Sequence, residues 1–323
     1  MNVAVVGLGS MGKRRIRLTK EIDPNIKIYG IDNNKDRQIE ASKLYDIEIY
    51  NSLDEISIDI AAVFVCTSPL SHGSIINQCL KRKCHIFSEI NLVDDMYDEN
   101  IALAKSNNKI LFLSSTPLYK KEMQYIKEYF SNKQNINYVY HIGQYLPDWH
   151  PWESYNNFFV GDKRTNGCRE IMAIEFPWLI NAFGEVLKFN VCKSKMTSLN
   201  IDYDDNYMLQ FEHVNGVKGS IVIDVVSPKA VRKLEAYCEG KYISWDGTPD
   251  SLYVYDHTNK ENLNIQLYSK IDHKSGYSDF VVENAYRDEI AAFLNAINGD
   301  ESKCLYSFEK DKGIINLINK IEG

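Results

Sequence analysis

Residues 5–15 read VVGLGSMGKRR. An apolar run ends on three glycines in G-x-G-x-x-G spacing, Gly7, Gly9 and Gly12, and a basic, helix-forming stretch follows. In that order each glycine has a task. Gly7 permits the tight turn, Gly9 lets the backbone approach a pyrophosphate, and Gly12 lets the helix close against the strand. The loop Gly7-Leu8-Gly9-Ser10-Met11-Gly12 thus opens onto a helix N-terminus, whose free N–H groups and partial positive charge attract phosphate. Glycines alone are weak evidence, because they cluster in many turns. Here the second strand also ends in IYGIDNN, which puts Asp32, with Asn33 beside it, where a ribose-binding carboxylate belongs. A carboxylate there repels a 2′-phosphate, so the cofactor reading is NAD, with NADP as the alternative. Lys35 and Arg37 keep that alternative open, although both also read as solvated helix charges.

The neighbouring sequence supports a doubly wound domain. Apolar strands are legible at 2–7, 27–31, 60–66, 84–88 and 110–114, with a weak one near 47–50. Amphipathic stretches at 11–21, 35–44, 71–82 and 94–107 lie between them. Strands that are apolar throughout and alternate with helices indicate a parallel sheet covered on both faces. After about residue 118 the rhythm changes to one helix, a long strand at 135–146, a loop at 147–167 and an apolar helix at 168–183. Strand patterns over 188–269 and helices at 280–297 and 308–321 complete the chain. The expectation is an α/β Rossmann domain at 1–118, followed at 119–323 by an α+β domain with an open, mostly antiparallel sheet.

Bulk properties exclude several classes. The 323 residues are 44% hydrophobic and 25% charged, with net charge −7 and a pI near 5.6. No basic stripe offers itself to nucleic acid, and apolar runs stop at strand length, so no membrane partner is expected. The N-terminus enters a strand directly and lacks the pattern of a signal peptide. Seven scattered cysteines, with no C-x-x-C and no Cys/His cluster, read as reduced cytoplasmic thiols without a metal site.

Ligands of such sheets bind outside the carboxyl ends of the strands. The fourth strand ends VCTSPLSH, offering Cys66, Thr67, Ser68, Pro69 and His72 to the cofactor. The fifth ends FSEINL, offering Glu89 and Asn91 on either side of Ile90. His85, inside a strand, reads as a core histidine.

Together VVGLGSMG, CTSPLSH, SEINL, GCREIMAIEFPWLINAFGEV at 167–186 and ENAYRDEIAAFLNAINGDE at 283–301 resemble the glucose–fructose oxidoreductase/inositol dehydrogenase (Gfo/Idh/MocA) family. The resemblance covers essentially the whole chain. It implies hydride transfer between a nicotinamide and a sugar, polyol or nucleotide-sugar carbon, and homodimers or homotetramers built on the open sheet. The alternating strands at 205–226 read as apolar enough on one side for that contact. The DWHPW and GCREI segments further resemble members of surface-carbohydrate or nonulosonic-acid biosynthesis. Asn284, Tyr286 and Glu289 read mainly as packing between the domains.

Two departures stand out. The family's Glu-Lys-Pro lysine aligns with Ile90 and its proline with Asn91; the second-domain histidine aligns with Ile174 and the nearby aspartate with Pro177. Neither isoleucine moves a proton, yet oxidation of a carbinol requires a group that does. Three replacements are open. His150, in the loop YLPDWHPWESY with Asp148, Tyr145, Trp149 and Trp152, suits an aromatic-walled sugar site, or else sits in a rigid plug. Arg169 can fork onto an anionic substrate group, or else pair with neighbours as Glu170 is expected to do. Glu175, buried by its helix position, either pairs with a cation or carries a raised pKa. The leading expectation is an NAD(P)-dependent oxidoreductase. A cofactor-recycling epimerase or eliminase is a second reading, and a degenerate member binding nucleotide or sugar as a regulatory partner is a third.

Overall fold

The computed structural model describes residues 1–131, 133, 135–150, 153–272 and 280–323. Trp152, one of the expected aromatic-wall residues, lies outside the described residues. The chain divides into two compact units. The first is Met1–Thr116 with Tyr286–Ile315, and the second is Pro117–Ala285 with Asn316–Gly323. A single cut after residue 118 therefore misses the return of 286–315 to the first unit.

In the first unit the chain alternates β1 (Asn2–Val6), α1 (Ser10–Ile22), β2 (Lys27–Ile31), α2 (Lys35–Tyr45) and β3 (Glu48–Tyr50). It continues through β4 (Ala62–Val65), α3 (Pro69–Lys81), β5 (His85–Ser88), α4 (Tyr97–Ser106) and β6 (Leu111–Leu113). The sheet order is β3-β2-β1-β4-β5-β6, and every pair is parallel. Winding outward in both directions from β1 and β4 makes those neighbours the switch point, and the loop after β1 opens there. All four residues of β4 are buried, which explains its unbroken apolar run. Phe64, Phe87 and Phe112 line up across β4, β5 and β6 with ring centroids 4.9 and 5.0 Å apart. Phe293, from the helix Glu283–Ile297, packs over all three at 5.5–5.7 Å.

The second unit contains α5 (Lys121–Phe130), β7 (Asn137–Gly143), α6 (Gly167–Phe183), β8 (Val186–Ser194) and β9 (Asn206–His213). β10 (Lys218–Asp224), β11 (Val231–Cys238), β12 (Lys241–Trp245), β13 (Leu252–Asp256) and β14 (Glu261–Asn264) follow. The chain ends with α7 (Glu283–Ile297) and α8 (Phe308–Glu322). The eight strands run β14-β13-β12-β11-β7-β10-β9-β8, antiparallel throughout except for β7 beside β10. One face is covered by α6. Phe183 stacks on Tyr138 at 4.4 Å, Phe176 meets Phe211 at 5.3 Å, and Trp178 meets Tyr140 edge-on at 5.5 Å.

The side of β9 and β10 read as an apolar contact surface is this covered one: Tyr207, Leu209, Phe211, Ile221 and Ile223 are buried. Their alternates, Met208, Gln210, Lys218 and Ser220, are exposed and largely polar. The alternation thus records packing within the unit and is no argument for self-association. No helix among the described residues is long and apolar enough to cross a membrane.

Candidate functional site

Gly7 adopts φ +92°, and a β-carbon there would lie 2.6 Å from the Cys66 carbonyl oxygen. A β-carbon on Gly12 would come within 1.9 Å of the Gly7 carbonyl oxygen, so helix α1 is pressed onto the turn as only glycine allows. Gly9 is different. A methyl group there would meet nothing closer than Arg37 Nη1 at 3.9 Å, which leaves its face open to an approaching phosphate. No side chain caps the first turn of α1, and no acidic residue stands in it, so its N–H groups are available to an anion. The Asp32 carboxylate at the end of β2 is steered by two backbone N–H groups, Leu8 to Oδ2 at 2.7 Å and Asn34 to Oδ1 at 2.8 Å. Each oxygen keeps further acceptor capacity for a ribose hydroxyl. The loop therefore fits a dinucleotide pyrophosphate and its adenosine ribose.

Further along the sheet rim, the expected cofactor contacts separate. Thr67 and Ser68 remain accessible, with Ser71 Oγ donating to Thr67 Oγ1 at 2.8 Å and to the Ser68 carbonyl at 2.7 Å. His72 is buried. One ring nitrogen lies 2.9 Å from the Thr67 carbonyl and the other 2.6 Å from Asn91 Oδ1. Burial holds its pKa below the ordinary histidine value, against the pull of those two bonds. Asn91 is buried too, so His72 and Asn91 support the T-S-P turn from beneath instead of presenting side chains to a ligand.

Glu89 is likewise committed. Arg15 Nε donates to its Oε1 at 2.6 Å and Arg15 Nη2 to its Oε2 at 3.1 Å. Arg15 also reaches Glu289 Oε2 at 2.9 Å and Ser114 Oγ at 3.2 Å, and its guanidinium lies 4.4 Å from the Phe87 ring centroid. Burial works against the Arg15 charge, but the two carboxylates more than restore it, so the cation persists inside the protein. Glu289 and Tyr286, read as packing between domains, serve here inside the first unit, with Arg14 over the Tyr286 ring. Sequence reasoning missed Arg15 altogether, because in KRR it looks like one of three solvated helix charges.

In the second unit Asn166 caps α6, accepting from Arg169 N–H at 2.8 Å. The Arg169 guanidinium is buried and bonds to Glu322 and, at 2.6 Å, to Asn319 Oδ1. It braces the C-terminal helix, and the expected fork onto a substrate would require giving up that pair. Glu175 is also engaged. It accepts from Tyr140 Oη and Trp178 Nε1, both at 2.6 Å, and pairs with Arg232 at 2.7 Å. Of its two open readings, pairing with a cation is the one observed. His150 is half-exposed, with Nδ1 at 3.0 Å from Glu153 Oε1 and its ring stacked on Phe158 at 4.5 Å.

Glu170, expected to pair, is the group without a hydrogen-bond or ion-pair partner for its carboxylate among the described residues. It is partly accessible on α6, as are Ile174 one turn on and Ile180, Asn181 and Ala182 near the end of the helix. The apolar surroundings push its carboxyl up to about 7. Lys120 is a second titratable group the sequence hides. It is buried, donates to the Phe280 carbonyl at 2.7 Å, and is drawn down to about 8 by burial and then by Arg232.

Residues 1–115 match the Gfo/Idh/MocA model, described as an oxidoreductase family with an NAD-binding Rossmann fold. The first domain is thus similar to the NAD-binding domain of Gfo/Idh/MocA oxidoreductases. It is 31% identical over 140 residues to the myo-inositol 2-dehydrogenase of Thermotoga maritima, an alignment covering 41% of each protein. The aligned stretch thus spans less than half of that curated relative. Across both units the fold is similar to UDP-N-acetylglucosamine 3-dehydrogenase from Acidithiobacillus ferrooxidans, with TM-score 0.77, 14% identity, and coverage of 100% of this chain and 96% of that one. It is equally similar to a Synechocystis biliverdin reductase solved with biliverdin and NADP+, with TM-score 0.76, 15% identity, and coverage of 99% and 97%. The same two-unit fold, at 14% and 15% identity, thus belongs to proteins named for a nucleotide-sugar and for a bile pigment, so it does not choose a substrate. Against the Gfo/Idh/MocA pattern, Ile90 is partly accessible beside buried Glu89 and Asn91, and Ile174 is partly accessible one helical turn beyond Glu170.

Proposed function

We propose that the protein is an NAD(P)-dependent dehydrogenase acting on a sugar or nucleotide-sugar, with Glu170 handling the hydroxyl proton in place of the family's lysine–histidine pair. The observation that carries this reading is Glu170 itself: a partly accessible carboxylate with no hydrogen-bond or ion-pair partner among the described residues, its carboxyl pushed up to about 7 by desolvation. A base that titrates at working pH combines the needed protonation state with driving force for transfer. The nicotinamide, when bound, supplies the acceptor for the carbinol hydride. Glu170 takes the hydroxyl proton as the carbonyl forms, and His150, steered by Glu153, is the competing candidate for that role. Arg169 and Glu175 act through their internal pairs, holding α6 in place. The location is read as cytoplasmic from seven unpaired cysteines, and a homodimer or homotetramer rests on the resemblance to the Gfo/Idh/MocA family alone.

Ile90 and Ile174 favour a second reading, a member that binds cofactor and sugar without turnover. Absorbance at 340 nm with a panel of nucleotide-sugars separates the cases. Net formation of NADH supports the dehydrogenase, and a transient that decays supports redox recycling. No change despite measurable NADH binding overturns both in favour of the non-catalytic member.

A further inference from the structure

A cleft of about 500 Å³ lies within the first unit at the outer edge of its sheet, between α4 and the segment 301–310. That volume suits a small organic ligand. Its apolar floor is made by Phe112, Tyr306 and Phe308, all of them buried. Residues 108–111 lead into β6, so the cleft sits at the amino end of the edge strand. The phosphate loop follows the carboxyl end of β1, and every strand is parallel, so the two places lie at opposite ends of the sheet.

Lys105, Lys109 and Lys310 line this cleft, and they are unequal. Lys105 faces Glu309 at 3.7 Å, and Lys310 donates to the Leu305 carbonyl at 3.3 Å. Lys109 Nζ instead lies 3.4 Å from His85 Nε2. His85 Nδ1 accepts the Ile110 backbone N–H at 3.1 Å, so the neutral ring carries its proton on Nε2. Two donors therefore face each other, and neither has an acceptor among the described residues. Burial, and then the Lys109 charge, hold the His85 pKa below the ordinary histidine value. An anionic oxygen between the two would turn this repulsion into a pair of charge-assisted bonds. We infer that the cleft is a second ligand site for a small amphipathic carboxylate, whose carboxylate bridges Lys109 and His85 and whose apolar body lies on Phe112, Tyr306 and Phe308. Glu301 and Glu309, also in the lining, repel a multiply charged group, so a single carboxylate is favoured over a phosphate.

The test is calorimetric titration of the full chain with hexanoate, acetate and hexanamide, in wild type, Lys109→Met and Lys109→Arg. The His85 ring proton is followed by NMR and assigned through its loss in His85→Gln. Hexanoate should bind saturably and roughly tenfold or more tighter than acetate, because its chain buries apolar surface. Uncharged hexanamide should bind roughly tenfold or more weaker than hexanoate. Lys109→Met should weaken hexanoate roughly tenfold to a hundredfold, while Lys109→Arg, which keeps the charge, should recover part of the loss. Hexanoate should also raise the His85 pKa in wild type, since an adjacent anion favours the ring cation. NADH binding should be unchanged in both Lys109 variants, which separates this site from the phosphate loop and confirms that the domain is folded. Should Lys109→Met fail to fold, Lys109→Arg and the wild-type His85 shift decide the matter. No saturable hexanoate binding, equal affinities for hexanoate and acetate, or a His85 pKa that hexanoate leaves in place overturns the inference.

Discussion

Arg15 and Glu289 are 274 residues apart in sequence, yet their buried side chains meet at 2.9 Å. The contact ties the helix that opens the phosphate loop to the helix that packs Phe293 on the sheet, and the Arg15 guanidinium also serves Glu89. Replacing Arg15 by methionine would leave two carboxylates buried near each other without a cation. The expected cost is about 3–5 kcal/mol of unfolding free energy, read from the urea midpoint. Glu289→Gln should cost on the order of 1–3 kcal/mol, because both carboxylate oxygens accept hydrogen bonds, from Arg15 and Thr116 on one and from Ser114 and the Ser115 N–H on the other, and an amide nitrogen in either place faces donors. A methionine variant as stable as wild type would remove Arg15 from this role.

The Asp32 assignment has its own test. Asp32→Ala should weaken NADH far more than NADPH, since only the unphosphorylated ribose offers a 2′-hydroxyl to the carboxylate. Fluorescence titration reads both affinities, and equal losses would contradict the assignment.

How much of this was legible beforehand depends on the range of the forces involved. The phosphate loop was readable because three glycines, a strand and a helix lie within residues 2–22, and local geometry leaves little else for that spacing to be. Strand β3, only three residues long, was marginal, as a short edge strand with exposed positions must be. The Arg15 cluster was invisible, because its partners at 89, 114 and 289 come together only after the sheet is wound. The same holds for α6. Its apolar character marked a helix, but nothing in GCREI says that Arg169 finds Glu322 while Glu170 has no hydrogen-bond or ion-pair partner among the described residues. Adjacent residues on a helix point about 100° apart, so two neighbouring charges have different fates set by what each face meets.

Glu170 makes stability depend on pH with a definite sign. Its carboxyl is raised from 4.5 to about 7 in the folded chain. Between those values the folded chain keeps a proton that the unfolded chain has released, so this contribution is full below pH 4.5 and is lost as pH rises to 7. The loss should be on the order of 1–3 kcal/mol, the lower figure applying if water reaches the carboxylate. Glu170→Gln should flatten that limb in urea midpoints taken at pH 5 and pH 8. A wild-type curve already flat over the range would mean that Glu170 is solvated and unremarkable.

The sharpest comparison concerns which group carries the proton once a substrate is found. Glu170→Gln keeps size and hydrogen bonding but cannot accept the hydroxyl proton, so turnover should fall roughly 10²–10⁴-fold, with substrate affinity less affected. The wild-type rate should climb through a limb near pH 7, the value to which burial lifts this carboxyl, and that limb should vanish in the variant. His150→Ala removes a ring already engaged with Glu153 and Phe158, and should cost less than about tenfold. Arg169→Ala should act through stability, because it strands Glu322 and Asn319, and its purified folded fraction should turn over with a near-normal pH profile. Ile90→Lys places a charge beside buried Glu89 and Asn91, whose bonds are already assigned to Arg15 and His72. The desolvation it suffers, on the order of a few kcal/mol, gives no reason for a faster rate. Normal turnover in Glu170→Gln alongside collapse in His150→Ala would transfer the role to the histidine. A gain of activity in Ile90→Lys would instead identify the native chain as a lapsed catalyst that still holds its cofactor.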